Sequence, residues 1–347
     1  MSKNLSSSAR LLITFLALFS LVGFLLLGFI WIGSSRLIIP NRPALEQRHY
    51  DLLANPARFG LELEDVEFHT HDGLAIQGIF ATRAPKLGEA PTTREMMRRI
   101  REHGIEASGK PRGTIILLHG RGGRKEDMLS VAKRFVAADF RCLVFDARAH
   151  GQSGGSFCTF GEQEVADLES IIRQTRILLE TRQEETRAVG IFGISLGASV
   201  AILASEIDGL QDALVAVSPF TSLPEIAHRS GRRMIHRHLP ESLSRACLLL
   251  GGWRAGFDPF AIIPIEAARE LQTPLFVAHG SLDQVVPISH GRNIFAEAKS
   301  KSRSWHEVED GYHGNVLARG GDDLYEEMIL FYLRHLTDEE LTLTESQ

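Results

Sequence analysis

A serine stands between two glycines in the pentapeptide GISLG at 193–197. The apolar stretch 187–192 predicts a short strand before it, and the small-residue stretch 196–205 predicts a helix after it. A serine at so sharp a step from strand to helix has a strained backbone, and the flanking glycines relieve the crowding. The hydroxyl of Ser195 then stands above the sheet edge as a candidate nucleophile, with the N-terminal amides of the next helix aimed at it.

A serine hydroxyl needs a base that accepts its proton and a third group that holds the base. In parallel sheets such partners lie at the carboxyl ends of strands, where crevices open. Asp283 follows a predicted strand at 274–278 after a short turn, and His313 lies in a glycine-flanked loop after the last predicted strand, 304–308. The order serine, acid, histidine is the one that sheets of this type use. We therefore predict that Ser195, Asp283 and His313 form a catalytic triad.

Other residues compete for these roles. Asp258 is a rival acid, but it precedes a proline in a connecting segment and is more typical of a turn. Asp283 also has a simpler interpretation, as a turn aspartate that bonds its own backbone. His119 and His150 follow predicted strands but precede the serine in the chain. We expect His119 to brace the loop that follows its strand.

The oxygen that becomes negatively charged during acyl transfer needs two hydrogen-bond donors. One is expected from the backbone N–H of Leu196, which follows the nucleophile. The second is expected from the loop HGRGG at 119–123, where the N–H of Arg121 is the first choice and that of Gly122 the second. A glycine-rich loop also suggests phosphate binding, but no Lys-Ser/Thr pair follows it, which disfavours a nucleotide site.

Composition and charge narrow the function further. The three cysteines are widely spaced and form no metal-ligand pair, and we predict that the protein needs neither a metal nor an organic cofactor. A hydrophobic content of 44% over 347 residues is ordinary for a globular protein with a large core. The formal net charge of -5 argues against nucleic acid as the main partner.

Residues 11–33 carry no charged side chain and predict a single transmembrane helix with Trp31 near one interface. A helix of this length spans about 34 Å, and the hydrocarbon core of a bilayer is about 30 Å thick. The apolar region of a cleaved signal peptide is shorter, about 7–15 residues. Cleavage stays open as the alternative, because Gly33 and Ser35 suit a cleavage site.

The orientation of this anchor depends on the basic residues at its two ends. Lys3 and Arg10 flank one end, and the other end is flanked by Arg36, Arg42 and Arg48. The two ends are nearly balanced under the positive-inside rule. We expect the short basic tail to stay in the cytoplasm and the catalytic domain to lie on the non-cytoplasmic side.

From residue 114 onward, apolar strands alternate with predicted helices, which is typical of a mostly parallel sheet covered by helices on both faces. Two half-exposed segments, 61–68 and 74–80, predict a hairpin that adds antiparallel strands at one edge. The predicted organisation is a tail and anchor at 1–35, a linker at 36–61 and a catalytic domain at 62–338, with a polar insertion at 82–112 and a helical cap at 221–257.

The predicted cap carries a cluster of basic and imidazole side chains. Such a cluster can meet anionic lipid head groups or a negatively charged substrate, and it can equally be a solvated helix surface. The residues are His228, Arg229, Arg232, Arg233, His236, Arg237 and His238.

Five motifs occur in a fixed order along the chain. They are HGRGG at 119–123, DARAHGQSG at 146–154, the serine elbow, HGSLD at 279–283 and GYHG at 311–314. On these motifs the chain resembles the α/β-hydrolase family over residues 62–338, and most of all the membrane-anchored serine hydrolases of the α/β-hydrolase-domain type. The resemblance implies a mostly parallel eight-stranded sheet with a helical cap. It also implies structural roles for 146–154, Glu164 and Asp167, a triad of Ser195, Asp283 and His313, and oxyanion amides at Arg121 and Leu196.

The sequence therefore predicts a membrane-anchored serine hydrolase that cleaves carboxylic ester or thioester bonds through an acyl-enzyme. Its substrate would be a small-molecule or lipid acyl ester, and the basic cap favours lysophospholipids. A serine peptidase of the same fold is the alternative, although a pocket for an N-terminal amine needs acidic residues and this cap is basic. A non-catalytic scaffold of the same fold is a third hypothesis, which the complete triad disfavours.

Overall fold

The computed structural model describes residues 7–85, 90–106, 109–184 and 188–337. Several predicted positions lie outside these residues. They are Lys3, the segments 86–89 and 107–108 of the polar insertion, Arg187 at the start of the strand before the elbow, and residue 338.

Within the described residues the centre of the fold is an eight-stranded sheet in the order β1-β2-β4-β3-β5-β6-β7-β8. Strand β1 pairs antiparallel with β2, and β2 pairs antiparallel with β4. The remaining neighbours are parallel, which confirms the predicted mostly parallel sheet with an antiparallel edge. The strands are β1 Leu61–His69, β2 Ala75–Arg83, β3 Thr114–Leu118, β4 Arg141–Phe145, β5 Val189–Ile194, β6 Ala213–Val217, β7 Leu275–Gly280 and β8 Arg303–Val308.

The helices form two layers, one on each face of the sheet. One layer consists of α3 (Pro91–Glu102), α4 (Lys125–Ala137) and α11 (Val316–Leu336). The other consists of α5 (Glu164–Thr181), α6 (Leu196–Ala204), α9 (Pro264–Ala268) and α10 (Ile288–Glu297). Strands β3 to β6 have apolar side chains on both faces because each face is covered, so β3 is buried along its whole length.

Two further helices, α7 (Leu223–Met234) and α8 (Glu241–Ala255), follow β6 and lie over the carboxyl edge of the sheet. They fall within the predicted cap at 221–257. The loop between them, 235–240, completes a helical hairpin, which we call the cap hairpin. Buried Leu223 and Leu248 join its two helices to the core on the α6 side.

The long N-terminal helix α1 (Ser7–Ile38) is a candidate membrane span. Its segment Arg10–Ile38 has a mean hydropathy of 2.6, and the apolar side chains of its first part are exposed to the surroundings of the protein. The last turns behave differently, since Ser34 and Ile38 are completely buried against the body. The helix is therefore free along most of its length and docked at its end.

The segment after α1 is fastened across the loop that follows β4. The guanidinium of Arg42 donates hydrogen bonds to the carbonyls of Ala149 (3.0 Å), Gly151 (3.1 Å) and Gly155 (3.0 Å). The amide of Cys158 donates to the carbonyl of Ile38 at 2.8 Å. Beyond these contacts the chain forms α2 (Gln47–Ala54) and a 3₁₀ helix (Pro56–Phe59) before it enters β1. Much of the predicted linker thus lies against the body.

The contacts of Arg42 predict a loss of stability when its side chain is removed. We expect Arg42→Ala to lower the free energy of unfolding by about 1–2 kcal/mol, because three carbonyls lose a charged donor at a partly exposed site. Thermal unfolding of the full chain in detergent measures the effect. Arg94→Ala is the matched control, since Arg94 is an exposed arginine on α3. Equal melting temperatures for the two variants would contradict the prediction.

Candidate active site

Ser195 lies in a strained turn between β5 and α6. Its backbone angles, φ 54° and ψ −114°, fall in a region that residues other than glycine rarely adopt. Glycine is required on both sides of it. A Cβ atom on Gly193 would lie 2.4 Å from the carbonyl oxygen of Gly197, and a Cβ atom on Gly197 would lie 2.4 Å from the carbonyl oxygen of Leu118. The elbow predicted from the pentapeptide is present, and it lifts the serine above the edge of the sheet.

The structure brings the three predicted triad residues together. His313 Nε2 lies 2.9 Å from Ser195 Oγ, and His313 Nδ1 lies 2.7 Å from Asp283 Oδ2. The carboxylate is buried, whereas the imidazole is partly exposed. If Nδ1–H donates to the carboxylate, Nε2 is free to accept the serine proton. The arrangement has the geometry of a nucleophile, a general base and a group that orients the base.

Asp283 holds the turn of its own loop and also contacts His313. Its Oδ1 accepts hydrogen bonds from the amides of Val285 and Val286, both at 2.9 Å, and Oδ2 remains for His313. Burial alone would raise the pKa of Asp283, but the nearby imidazole of His279 (3.5 Å) and the hydrogen bonds with His313 and the Val286 amide outweigh burial and hold the pKa well below its usual range. The turn role and the triad role are therefore compatible, and the carboxylate stays ionised.

The rival acid lies outside this group. Asp258 is exposed, and its Oδ1 accepts a hydrogen bond from the amide of Phe260 at 2.9 Å. This is the turn contact that its sequence context predicts. The structure gives Asp258 no hydrogen bond to His313.

The two earlier histidines are held inside the body. The imidazole of His119 donates from Nδ1 to the carbonyl of Gly120 at 2.8 Å and accepts at Nε2 from the amide of Ala147 at 3.1 Å. It therefore joins the glycine-rich loop to the end of β4, as expected. His150 is fully buried, and burial beside His119 lowers its pKa to about 4, which keeps the ring neutral.

The glycine-rich loop lies directly against the nucleophile. A Cβ atom on Gly120 would lie 3.4 Å from Ser195 Cβ. The loop turns tightly, because Gly123 N–H donates to the carbonyl of Gly120 at 2.9 Å and Gly122 has φ 75°. Within the described residues the amides of Arg121 and Leu196 donate to no acceptor. Both N–H groups are available to a ligand oxygen beside the serine.

The side chain of Arg121 makes a contact that sequence reasoning missed. Its guanidinium donates to the carbonyls of Arg36, Leu37 (2.9 Å) and Ile39 (3.4 Å) at the end of α1. The last carbonyls of a helix lack partners within the helix, so an arginine at this point satisfies them. The glycine-rich loop is thereby tied to the end of the candidate membrane span. No local pattern marks the contact, because its partners are more than eighty positions apart in sequence.

Buried carboxylates hold the loops around the site. Asp146 is fully buried and accepts from the amides of Lys125 (2.7 Å) and Gln152 (2.9 Å) and from Lys125 Nζ (3.0 Å). Arg148 forms a two-pronged ion pair with Asp167, both hydrogen bonds at 2.6 Å. These contacts agree with the structural roles that the resemblance implies for this stretch.

One group of metal-type ligands occurs among the described residues. Side-chain atoms of His71, Asp72 and Asp167 lie within 4.8 Å of one another. Arg148 already hydrogen-bonds both carboxylates, so a positive charge is present between them. None of its three residues hydrogen-bonds to a triad residue in the described part of the chain.

Sequence comparisons agree with the fold and the geometry. Residues 109–247 match the family model described as "Serine aminopeptidase, S33". The Bacillus subtilis protein YqkD is 28% identical over 58% of this chain and 64% of its own length. The Mycolicibacterium smegmatis monoacylglycerol lipase is 26% identical over 55% and 77%, and the zebrafish lysophosphatidylserine lipase ABHD12 is 27% identical over 56% and 50%. The chain thus spans about half to three quarters of the length of these relatives.

A solved structure shows the same architecture over more of the chain. The Pyrococcus furiosus esterase Pf2001 superposes with a TM-score of 0.61 and 21% identity, covering 87% of this chain and 99% of the esterase. At this identity the likeness establishes the fold. The sheet order, the strained elbow and the superposition on the esterase lead to one assignment: the chain has the α/β-hydrolase fold.

Proposed function

We propose that the protein is a serine hydrolase that cleaves carboxylic ester or thioester bonds through an acyl-enzyme. The observation that carries the proposal is the continuous hydrogen-bonded series from Ser195 through His313 to the buried Asp283. A serine beside a correctly held imidazole becomes a nucleophile at neutral pH. The lipase relatives and the esterase fold support an acyl ester as the substrate.

The proposed reaction has two halves. Ser195 Oγ attacks the acyl carbonyl while His313 Nε2 takes its proton, and Asp283 stabilises the resulting imidazolium. The amides of Leu196 and Arg121 donate to the negatively charged oxygen of the tetrahedral intermediate. His313 then gives the proton to the leaving alcohol or thiol. In the second half it activates a water molecule, which releases the acid and restores the serine. The side chains, the backbone amides and water provide the nucleophiles, the proton transfers and the charge stabilisation, so the proposed reaction requires no cofactor.

We further propose that the substrate is a lipid acyl ester reached from the membrane. Helix α1 is long and apolar enough to span a bilayer, and two of the relatives are named as lipases. The basic cap supports a substrate with a negatively charged head group. The proposed topology is a single span with the body on the non-cytoplasmic side. Protease digestion of sealed vesicles tests it.

A peptidase remains the second candidate, because the matched family model is described as a serine aminopeptidase. The predicted cap at 221–257 has two glutamates, Glu225 and Glu241, against six arginines, and this excess of positive charge disfavours a free amine as the ligand. Parallel assays with acyl esters and dipeptide amides distinguish the two activities. Higher kcat/KM on dipeptide amides than on esters would replace the esterase proposal with the peptidase.

Replacing the nucleophile tests the chemistry most directly. We expect Ser195→Ala to lower kcat on the order of a million-fold and to abolish labelling by a fluorophosphonate probe, because the attacking oxygen is gone. Ser205→Ala is the matched control, since Ser205 lies at the other end of α6 and its hydroxyl donates only to the Ile202 carbonyl, at 2.6 Å. Near-normal turnover by Ser195→Ala would rule out nucleophilic catalysis at this position.

The role of the acid is tested by an isosteric change. We expect Asp283→Asn to lower kcat by roughly 10⁴-fold, because an amide favours the wrong imidazole tautomer and cannot stabilise the imidazolium. Its remaining oxygen can still accept from the Val285 and Val286 amides, so the turn is preserved. Asp258→Asn, the control, should retain wild-type kcat. The triad assignment fails if these two variants lose activity equally.

The tie between Arg121 and α1 predicts an effect on turnover. We expect Arg121→Ala to lower kcat on the order of tenfold with little change in KM, because the oxyanion amide stays but loses its support. Arg121→Lys should recover part of the loss, since an ammonium can still donate to the carbonyls. Arg36→Ala keeps its carbonyl acceptor and is the control. A change in KM alone, or no rescue by lysine, would contradict this positioning role.

A further inference from the structure

The outer face of α8 exposes large apolar side chains next to the candidate membrane span. Trp253 is 79% exposed and Leu249 is 58% exposed, and the two lie one turn apart on the helix. On α1, Trp31 is also exposed, and Arg254 of α8 lies over its ring at 4.0 Å. Large apolar side chains exposed side by side are candidates for an interaction surface. We call Leu249 and Trp253 the apolar face of the cap.

The packing of α8 against α1 fixes the position of this face. Gly33 faces Cys247 so closely that a Cβ atom would lie 2.6 Å from the sulfur, and Gly251 faces Ser34 and Ile38. Arg254 adds hydrogen bonds to Ser34 Oγ (2.8 Å) and Ser35 Oγ (2.7 Å). These contacts hold α8 against the last turns of α1, where the span meets the body. The apolar face therefore lies beside the end of the candidate membrane span.

The end of the cap hairpin combines positive charge with apolar side chains. Residues 232–238 are all exposed, and among them Met234 is 70% exposed and Ile235 is 53% exposed. In the part of the chain that the structure describes, no carboxylate pairs with Arg232, Arg233 or Arg237. Basic residues interleaved with exposed apolar ones match the composition of segments that lie in the interface of an anionic membrane.

We propose that the cap hairpin docks on the surface of the anionic phospholipid bilayer that holds α1. Leu249 and Trp253 enter the interfacial region beside the span, and the arginines at the end of the hairpin contact the phosphate head groups. The positive charge of the hairpin suits anionic head groups, and the hairpin packs directly on α1. Both observations favour the bilayer over a partner protein as the ligand of this surface. Docking is independent of the triad, so it persists in a protein that lacks Ser195.

Tryptophan fluorescence quenching by lipids measures the docking. The full chain contains Trp31, Trp253 and Trp305. A protein with Trp31→Phe and Trp305→Phe keeps Trp253 as its reporter, and one with Trp31→Phe and Trp253→Phe keeps Trp305, which packs against Phe295 in the body. Both are reconstituted into vesicles of phosphatidylcholine with phosphatidylglycerol, with and without a phospholipid that carries a doxyl group near the head group.

The proposal expects at least twofold stronger quenching of Trp253 than of Trp305 in these vesicles. It also expects the same quenching of Trp253 when Ser195→Ala is added, which separates docking from hydrolysis. Quenching of Trp253 no stronger than that of Trp305 would overturn the proposal. So would equal access of iodide to Trp253 in vesicles and in detergent, which is the result for a solvated helix or a surface awaiting a partner protein.

The charge requirement is tested with a matched pair of double variants. A basic side chain near an anionic surface favours binding by about fivefold. We expect Arg232→Gln/Arg233→Gln to reduce the quenching of Trp253 in anionic vesicles to its level in pure phosphatidylcholine. Arg94→Gln/Arg101→Gln removes two exposed arginines of α3 and should leave the quenching unchanged. If both pairs have the same effect, or if phosphatidylglycerol makes no difference, the arginines are not the lipid contact.

Discussion

The strained backbone of Ser195 is the constraint on which the rest of the site depends. A residue other than glycine in such a conformation costs about 1–3 kcal/mol, and the surrounding fold must hold it. Here the Ser195 amide donates to the carbonyl of Val217 at 2.8 Å, so the neighbouring parallel strand fixes the turn. The close approach of Gly197 to Leu118 fixes it from the other side. The hydroxyl is thus positioned by three adjacent strands that are themselves buried on both faces.

The segments around the site that follow β4 are held by carboxylates that take no part in the proposed reaction. Asp146 accepts from two backbone amides and a lysine at no exposure to solvent, and Glu164 accepts from the Thr159 and Gly161 amides, both at 2.8 Å. A buried carboxylate is stable only when such donors surround it. The same logic applies to Asp283, which satisfies its turn with one oxygen and the histidine with the other. Buried carboxylates therefore fix the shape of the segments that follow β4 and β7.

Much of the fold could be predicted because its signals are local. The apolar runs at 114–118, 141–145 and 213–217 coincide with β3, β4 and β6, and the chain order of serine, acid and histidine selected residues that the structure brings together. The start of the last helix was harder to predict from the sequence. It begins at Val316 and breaks at Gly321, whose φ of 58° is not helical, so the periodic pattern begins only after the break. The contacts of Arg42 and Arg121 with distant carbonyls leave no periodic or compositional trace, so no local pattern predicts them.

Those unpredicted contacts show that the end of the N-terminal helix is fixed to the body of the protein. A simple tether would end in a flexible connection, and the position of the active site relative to the membrane would then vary. In this chain the end of α1 receives hydrogen bonds from Arg121 in the glycine-rich loop and from Arg254 in the cap hairpin. Its carbonyl at Ile38 accepts from the amide of Cys158. The loop beside Ser195 and the cap above it are therefore fixed to the same two turns of helix. Because this interface is closely packed, the orientation of α1 would also set the orientation of the site if α1 spans a bilayer as proposed.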